Sequence, residues 1–376
     1  MGWLEALHAL LFAIDSSNGV IAGSSTGAVG GTLRASNGMH TTTYATRNVS
    51  LLIRDHIAVN RSFVVHGPAT KSDTKLPLVL GFHGQSGTGW QQQSEHAFNA
   101  YAARDGWIVA YLDGMGDGDQ GTGWNCGTAG DYQRPAVVTI SRAFDRENDE
   151  KSSPSCLVGD NSTCIVGTQN VGCYESCAAR GLCGRCNWNT CHDDGRFVEA
   201  VIDELDAEFG VDRSRLFAFG GSNGGMAVHH LVAARLPGLF LGAAPVFGLP
   251  LMGYAAGGPS MPLYRSPNAS RTSILQLHDR TDSVIPWQGG VDGDGWIYET
   301  GTVALATWAA VKGCAATSTP QNTTLSGGAD HAACYAFEGC DAGVLRYCLY
   351  DGTHGVWPPQ PAADALIWAF FKALAP

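Results

Sequence analysis

A mostly parallel β-sheet with helices on both faces is the fold class this sequence predicts. Short apolar runs of strand length alternate with segments of helical spacing along most of the chain. Those runs, such as Leu78–Phe82 and Trp107–Leu112, are continuously apolar. That pattern suits strands buried on both faces better than a half-solvated antiparallel sheet. A third observation is one block, residues 114–192, in which the alternation breaks and cysteines collect. It predicts an insertion held by disulfides, because a structureless loop of that length is uncommon unless stapled or functional.

The elements follow in order. Residues 1–49 read as a leader or linker, rich in Gly, Ser, Thr and Ala over 15–45. Leu4–Ile14 is apolar like the core of a secretion signal, but it contains Glu5 and no basic residue precedes it. The catalytic domain is expected over 50–376. Arg61–His66 predicts an early strand, and Leu78–Phe82 a buried one ending at His83-Gly84. A helix is expected around Ser94–Arg104 and a strand over Trp107–Leu112. After the insertion, Phe197, Val201, Ile202 and Leu205 fall at helical spacing. Leu216–Phe219 predicts a strand, Asn223–Arg235 a helix, and Phe240–Phe247 and Ser273–Leu277 two more strands. Val303–Val311 predicts a helix, Val344–Leu349 a strand, and Ala363–Ala373 a closing amphipathic helix. No internal repeat is present.

Composition narrows the function classes. The chain has 376 residues, 44% hydrophobic and 15% charged, with a net charge of −11. That balance argues against disorder and against nucleic-acid binding, which needs Lys and Arg to meet phosphates. No run reaches the eighteen or so apolar residues of a membrane span. Twelve cysteines, an even number, read as a disulfide framework made in an oxidising compartment. The alternative is a zinc site around Cys173, Cys177, Cys183, Cys186 and Cys191. It would leave the other cysteines unexplained. Five sequons, at Asn48, Asn60, Asn161, Asn268 and Asn322, point to the same secretory route.

The chemistry concentrates in Gly220-Gly221-Ser222-Asn223-Gly224-Gly225, between a predicted strand and a predicted helix. This is the context of a nucleophile elbow. The turn is so tight that residues two before and two after the serine must be small, and here they are Gly220 and Gly224. Such a nucleophile needs an acid and then a histidine further along the chain. Asp279 and Asp282 both follow the Ser273–Leu277 strand, at the end where α/β folds gather catalytic groups. The residues alone leave both open. His354, in the loop before the last helix, is the expected general base. The oxyanion donors are expected to be the backbone N–H groups of Asn223 and of Gln85, in the loop after Phe82. His229 and His230 are better read as structural. Acyl transfer of this kind needs no cofactor and no metal. The Asp-Gly stretches near residues 116 and 292 lack the ligand spacing of a calcium loop.

Taken together, these segments resemble the α/β-hydrolase esterases that join polyhydroxybutyrate depolymerases with carbohydrate-esterase-type feruloyl and acetylxylan esterases. The matching segments are Leu76–Gly84, Gly123–Cys126, Asp193–Phe197, Gly220–Met226, His278–Pro286 and Gly352–Pro358. The resemblance implies an α/β-hydrolase fold over residues 55–376. It maps the catalytic acid to Asp282 and leaves Asp279 at the family's glycine position. The last motif carries one residue more between His354 and Trp357 than the family pattern. Trp90, Trp124, Trp287 and Trp357 lie beside the motif loops and are candidates to line the cleft. The implied substrate is an ester, either a hydroxycinnamate on wall polysaccharide or, as the alternative, a polyester such as polyhydroxybutyrate. Acetylxylan esterase, serine peptidase and an inactive binding module rank lower. A secreted monomer is expected.

Overall fold

The continuously apolar runs become the centre of a sheet. In the computed structural model the described residues are 32–34, 41–53, 57–68, 71–116, 122–126, 193–250, 266–291, 297–321, 333–355, 357 and 362–375, with 72, 125 and 267 excepted. The strands of the main sheet are β1 (Thr32–Arg34), β2 (Thr41–Ile53), β3 (Ile57–Pro68), β4 (Leu76–Phe82) and β5 (Ile108–Leu112). They continue with β6 (Val211–Gly221), β7 (Gly242–Val246), β8 (Ser273–Asp279), β9 (Ser318–Gln321), β10 (Ala333–Phe337) and β11 (Leu345–Tyr350). The spatial order is β1-β2-β3-β5-β4-β6-β7-β8-β11-β10-β9. The six strands β5-β4-β6-β7-β8-β11 run parallel. Antiparallel strands flank them on both edges.

Helices cover both faces. They are α1 (Gly89–Glu95), α2 (Phe98–Asp105), α3 (Asp194–Phe209), α4 (Asn223–His230), α5 (Gly301–Lys312) and α6 (Ala362–Leu374). Leu78, Leu80 and Phe82 share one buried apolar cluster with Phe197, Val201, Ile202 and Leu205 of α3, and the same cluster reaches Trp308 of α5. Val79, between them on the other face, packs with Phe98 of α2 and Ile367, Trp368 and Phe371 of α6. This is why β4 reads as uniformly apolar: each face meets its own helical layer. The expected face of α3 is buried as its spacing predicted. Asp193 caps that helix by accepting from Arg196 N at 3.0 Å, and Gly210 ends it at φ 80°.

Three expectations change. The boundary placed at residue 50 falls inside β2, which begins at Thr41 and pairs with β3 from Thr42 to Ile53. Its run of threonines looks like linker by polarity, but Thr is β-branched and suits an extended edge. The helix expected over Ser94–Arg104 is two helices, broken at His96 and Ala97. Strands β9 and β10 were not legible as strands. Cys334 on β10 faces Cys348 on β11 and is bonded to it, and Cys314 is bonded to Cys340. The insertion from 127 to 192, with seven of the cysteines, lies outside the described residues.

Candidate active site

Strand β6 enters helix α4 through Ser222, whose backbone has φ 55° and ψ −124°. A non-glycine residue adopts that conformation only where its surroundings impose it. The flanking glycines show what imposes it. A Cβ on Gly220 would lie 2.7 Å from the carbonyl carbon of Gly224. One on Gly224 would lie 2.0 Å from the carbonyl oxygen of Phe82. The requirement for small residues at both positions is therefore steric contact with backbone.

Ser222 Oγ lies 2.9 Å from His354 Nε2, and His354 Nδ1 lies 2.7 Å from Asp282 Oδ2. The other carboxylate oxygen, Oδ1, accepts from the N–H groups of Val284 and Ile285, each at 2.8 Å. Burial pushes the Asp282 carboxyl up, but His354 and these two amides outweigh it and hold it below the usual carboxylate range. A carboxylate can only accept, so His354 Nδ1 carries the proton and Nε2 is left to accept from Ser222. Asp279 plays a different part. Its Oδ1 accepts from Thr281 N at 2.8 Å, Thr281 Oγ1 at 2.9 Å and Gly352 N at 3.1 Å. It ties the end of β8 to the loop that carries His354, and the geometry puts Asp282 against the histidine.

The His83–Thr88 loop forms the opposite wall. His83 Nε2 accepts from Gly114 N at 2.8 Å, so Nδ1 bears the proton and donates to Gly84 O at 2.7 Å. Burial lowers the imidazole to about 4, which keeps it neutral and in that tautomer. Trp124 binds the two expected oxyanion segments together. Its indole N–H donates to His83 O at 2.9 Å, and its backbone N–H donates to Asn223 Oδ1 at 3.0 Å. Beneath it, the buried Arg61 guanidinium pairs with Asp194 at 2.9 Å and donates to Asp113 O at 3.1 Å.

Ser222 and His354 open into a cavity of about 460 Å³, whose wall includes Gln85, Gln92, His96, Phe247 and Trp357. Gln85 stands at the cavity wall. Asn223 is fully buried and starts α4 behind the serine. Of the four tryptophans, only Trp357 lines this cavity. Trp124 is fully buried and Trp287 nearly so, the latter packed against His278 and Tyr347. Trp90 is 62% exposed and lies off the cavity wall. The expectation that Trp124 and Trp287 line the cleft is thus corrected. Proximity to a motif in sequence does not fix which way a large ring turns, and both rings fill core space. The cavity wall includes residues that sequence reasoning missed. Phe247, at φ 33°, packs edge-on between His354 and Trp357. His96 is edge-on to Trp357 at 4.3 Å and is held through Nδ1 by Asp364 at 3.0 Å. No local signal marks either, because their contacts come from distant segments. Among the described residues no group of three or more His, Cys, Asp or Glu side chains could hold a metal ion.

Six parallel strands, a strand–serine–helix elbow on the third of them, and the acid and base loops after β8 and β11 define the class: the chain has the α/β-hydrolase fold. A stretch of 189 residues is 30% identical to feruloyl esterase C of Emericella nidulans, covering 49% of this chain and 60% of that protein. The chain thus spans less than two thirds of that relative's length. Across 87% of its length the fold is similar to that of an acetyl xylan esterase from Aspergillus awamori, at 13% identity, with a TM-score of 0.51 and 99% of that chain covered. An acetyl xylan esterase from Paenibacillus sp. R4 aligns over 94% of this chain and 89% of its own, at 15% identity and a TM-score of 0.42. No family profile matches the sequence.

Proposed function

We propose that this protein is a secreted serine carboxylic-ester hydrolase that works through an acyl-enzyme, with hydroxycinnamate esters of wall polysaccharide as substrate. The observation that carries the reading is the chain of contacts Ser222–His354–Asp282, at 2.9 and 2.7 Å, opening on a cavity. Ser222 Oγ attacks the ester carbonyl as His354 Nε2 takes its proton. Asp282 holds the ring and offsets the imidazolium charge. The N–H groups of Gln85 and Asn223 are assigned to the carbonyl oxygen as it becomes negative. His354 then gives the proton to the leaving alcohol, leaving an acyl ester on Ser222. Water, deprotonated by His354, releases the acid and restores the serine. None of these steps draws on a cofactor.

The hydroxycinnamoyl assignment rests on the feruloyl esterase relative and on Phe247 and Trp357, two flat aromatic walls beside the serine. Secretion rests on two disulfides and five sequons. Ser222→Ala is the direct test. It should lower hydrolysis of 4-nitrophenyl acetate by about five to six orders of magnitude, and unchanged turnover would remove the assignment. For the substrate, methyl ferulate, acetylated xylan and hydroxybutyrate oligomers are compared by kcat/KM. Methyl ferulate should lead, and a preference for either of the others overturns the hydroxycinnamoyl reading.

A further inference from the structure

Beneath the acid loop runs a buried series of polar side chains that the reaction itself does not touch. Trp308 Nε1 on α5 lies 3.3 Å from His229 Nδ1 on α4. His229 Nε2 lies 2.8 Å from Gln276 Oε1 on β8. Gln276 Nε2 lies 3.4 Å from His278 Nδ1, and His278 Nε2 lies 2.8 Å from Ile285 O. Asp282 Oδ2 is 3.9 Å from that same Nε2, beyond hydrogen-bond reach, so His278 grips the backbone of the loop and not the carboxylate.

The protons in this series can be placed only one way. An indole N–H only donates, so His229 Nδ1 accepts and its Nε2 donates. Gln276 Nε2 also faces the carbonyl oxygens of Leu277 at 3.1 Å and Gly248 at 3.3 Å, which fixes its amide orientation. His278 Nδ1 faces an N–H-bearing nitrogen and is therefore the unprotonated one, sharing the two Gln276 N–H groups with those carbonyls, and Nε2 donates to Ile285 O. Starting from the other end gives the same answer, since a carbonyl only accepts. Both rings must be neutral, because a protonated His229 would point N–H at N–H. Burial lowers both imidazoles to about 4, in accord with this. The other titratable groups acting on His278 are Asp282, His354 and Asp279.

We propose that His229, Gln276 and His278 form a one-directional hydrogen-bond chain that positions the Asp282 loop relative to the helix carrying Ser222, which makes His278 a positioning residue for the reaction. His229 sits two helical turns beyond Ser222 on α4. Ile285 closes the chain: its carbonyl accepts from His278 while its N–H donates to Asp282 Oδ1. One peptide-linked residue therefore passes the position of α4 to the carboxylate. This inference rests on the serine-hydrolase reading above.

The test is His278→Phe, assayed on 4-nitrophenyl acetate. Displacement of Asp282 should lower kcat by about ten- to a hundred-fold with KM little moved. A loss in kcat with KM held is what a displaced Asp282 gives and a general loosening of the fold does not. His278→Gln returns an N–H near the Nε2 position and should recover most of the loss. A folded Phe variant with the wild-type kcat overturns the proposal. The second measurement needs no variant and no activity. Imidazole nitrogen NMR of the wild-type protein should show His229 and His278 protonated at Nε2 alone and not titrating between pH 5 and 8. A ring that titrates there, or carries its proton on Nδ1, overturns the chain. Failure of Ser222→Ala to abolish hydrolysis would instead remove the underlying reading, whatever the NMR shows.

Discussion

Asp282→Asn probes the candidate site most sharply, because the structure dictates which way the new amide must turn. Oδ1 receives two backbone N–H groups at 2.8 Å each. Only the amide oxygen can accept them, so the NH₂ is forced into the place of Oδ2, facing His354 Nδ1 at 2.7 Å. Two donors cannot meet there. His354 relieves the clash by moving its proton to Nε2, and Nε2 then donates toward Ser222 instead of accepting from it. The general base is lost while every backbone bond of the loop survives. The cost expected for a base locked in the wrong tautomer is about 10⁴-fold in kcat, or roughly 5.5 kcal/mol of transition-state stabilisation. Steady-state kinetics on 4-nitrophenyl acetate at neutral pH reads this directly, with circular dichroism to show the fold intact. Asp279→Asn is the control, because its amide oxygen can keep the three bonds to Thr281 and Gly352 and should cost less than about ten-fold. An Asp282→Asn enzyme within ten-fold of wild type, or an Asp279→Asn enzyme that is worse, refutes the reasoning.

Gly224→Ala places a Cβ 2.0 Å from the carbonyl oxygen of Phe82, so the elbow must open. A loss of at least about 2 kcal/mol in urea unfolding is expected, and an unchanged midpoint would show that the elbow yields freely. Removing the Cys334–Cys348 bond by a double Ala substitution frees a 14-residue separation and should cost about 3 kcal/mol. Denaturant unfolding measures this, and a midpoint shift near zero would mean that β-pairing alone holds that edge. For pH, burial holds His66, His83, His229, His230 and His278 at about 4, 4, 4, 3 and 4, below the ordinary 6.5. The unfolded chain takes up these protons first as pH falls, so the stabilisation is whole above about 6.5 and is lost on the way down to about 4, and to about 3 for His230. The thermal midpoint should drop steeply over that window, and a flat profile contradicts the burial of these rings.

Much of the fold was legible because the residues that build it signal locally. The spacing of Phe197, Val201, Ile202 and Leu205 appears unchanged as the buried face of α3. Thr41–Ile53 was read as linker up to residue 49 because threonine is polar, although its branching suits a strand. Strand β9 went unseen because Ser318–Gln321 is polar and carries a proline, and β10, Ala333–Phe337, because a five-residue apolar run does not say what it pairs with; in the fold it lies between β9 and β11. In the site, Ser222 and His354 stand in local motifs, whereas the choice between Asp279 and Asp282 did not follow from the residues alone. Three positions of chain separate the two carboxylates, Asp279 as the last residue of β8 and Asp282 just beyond it. What distinguishes them is the turn after β8, which aims one at Gly352 and the other at His354.

By itself the sequence determined what is decided by steric and periodic rules over a few residues: the parallel sheet, the helix faces, and an elbow that tolerates no side chain at Gly220 or Gly224. Only the tertiary structure decided which tryptophan lines the cavity and how His96 and Phe247 come to the wall, while the choice of Asp282, which the family resemblance implied and the residues alone left open, rests in the fold on its contact with His354. Those outcomes depend on the directions of side chains brought together from segments far apart in the chain. Hydrophobic burial, which drives their approach, is blind to direction. The hydrogen bonds that then choose among the groups act over about 3 Å and only in the assembled fold.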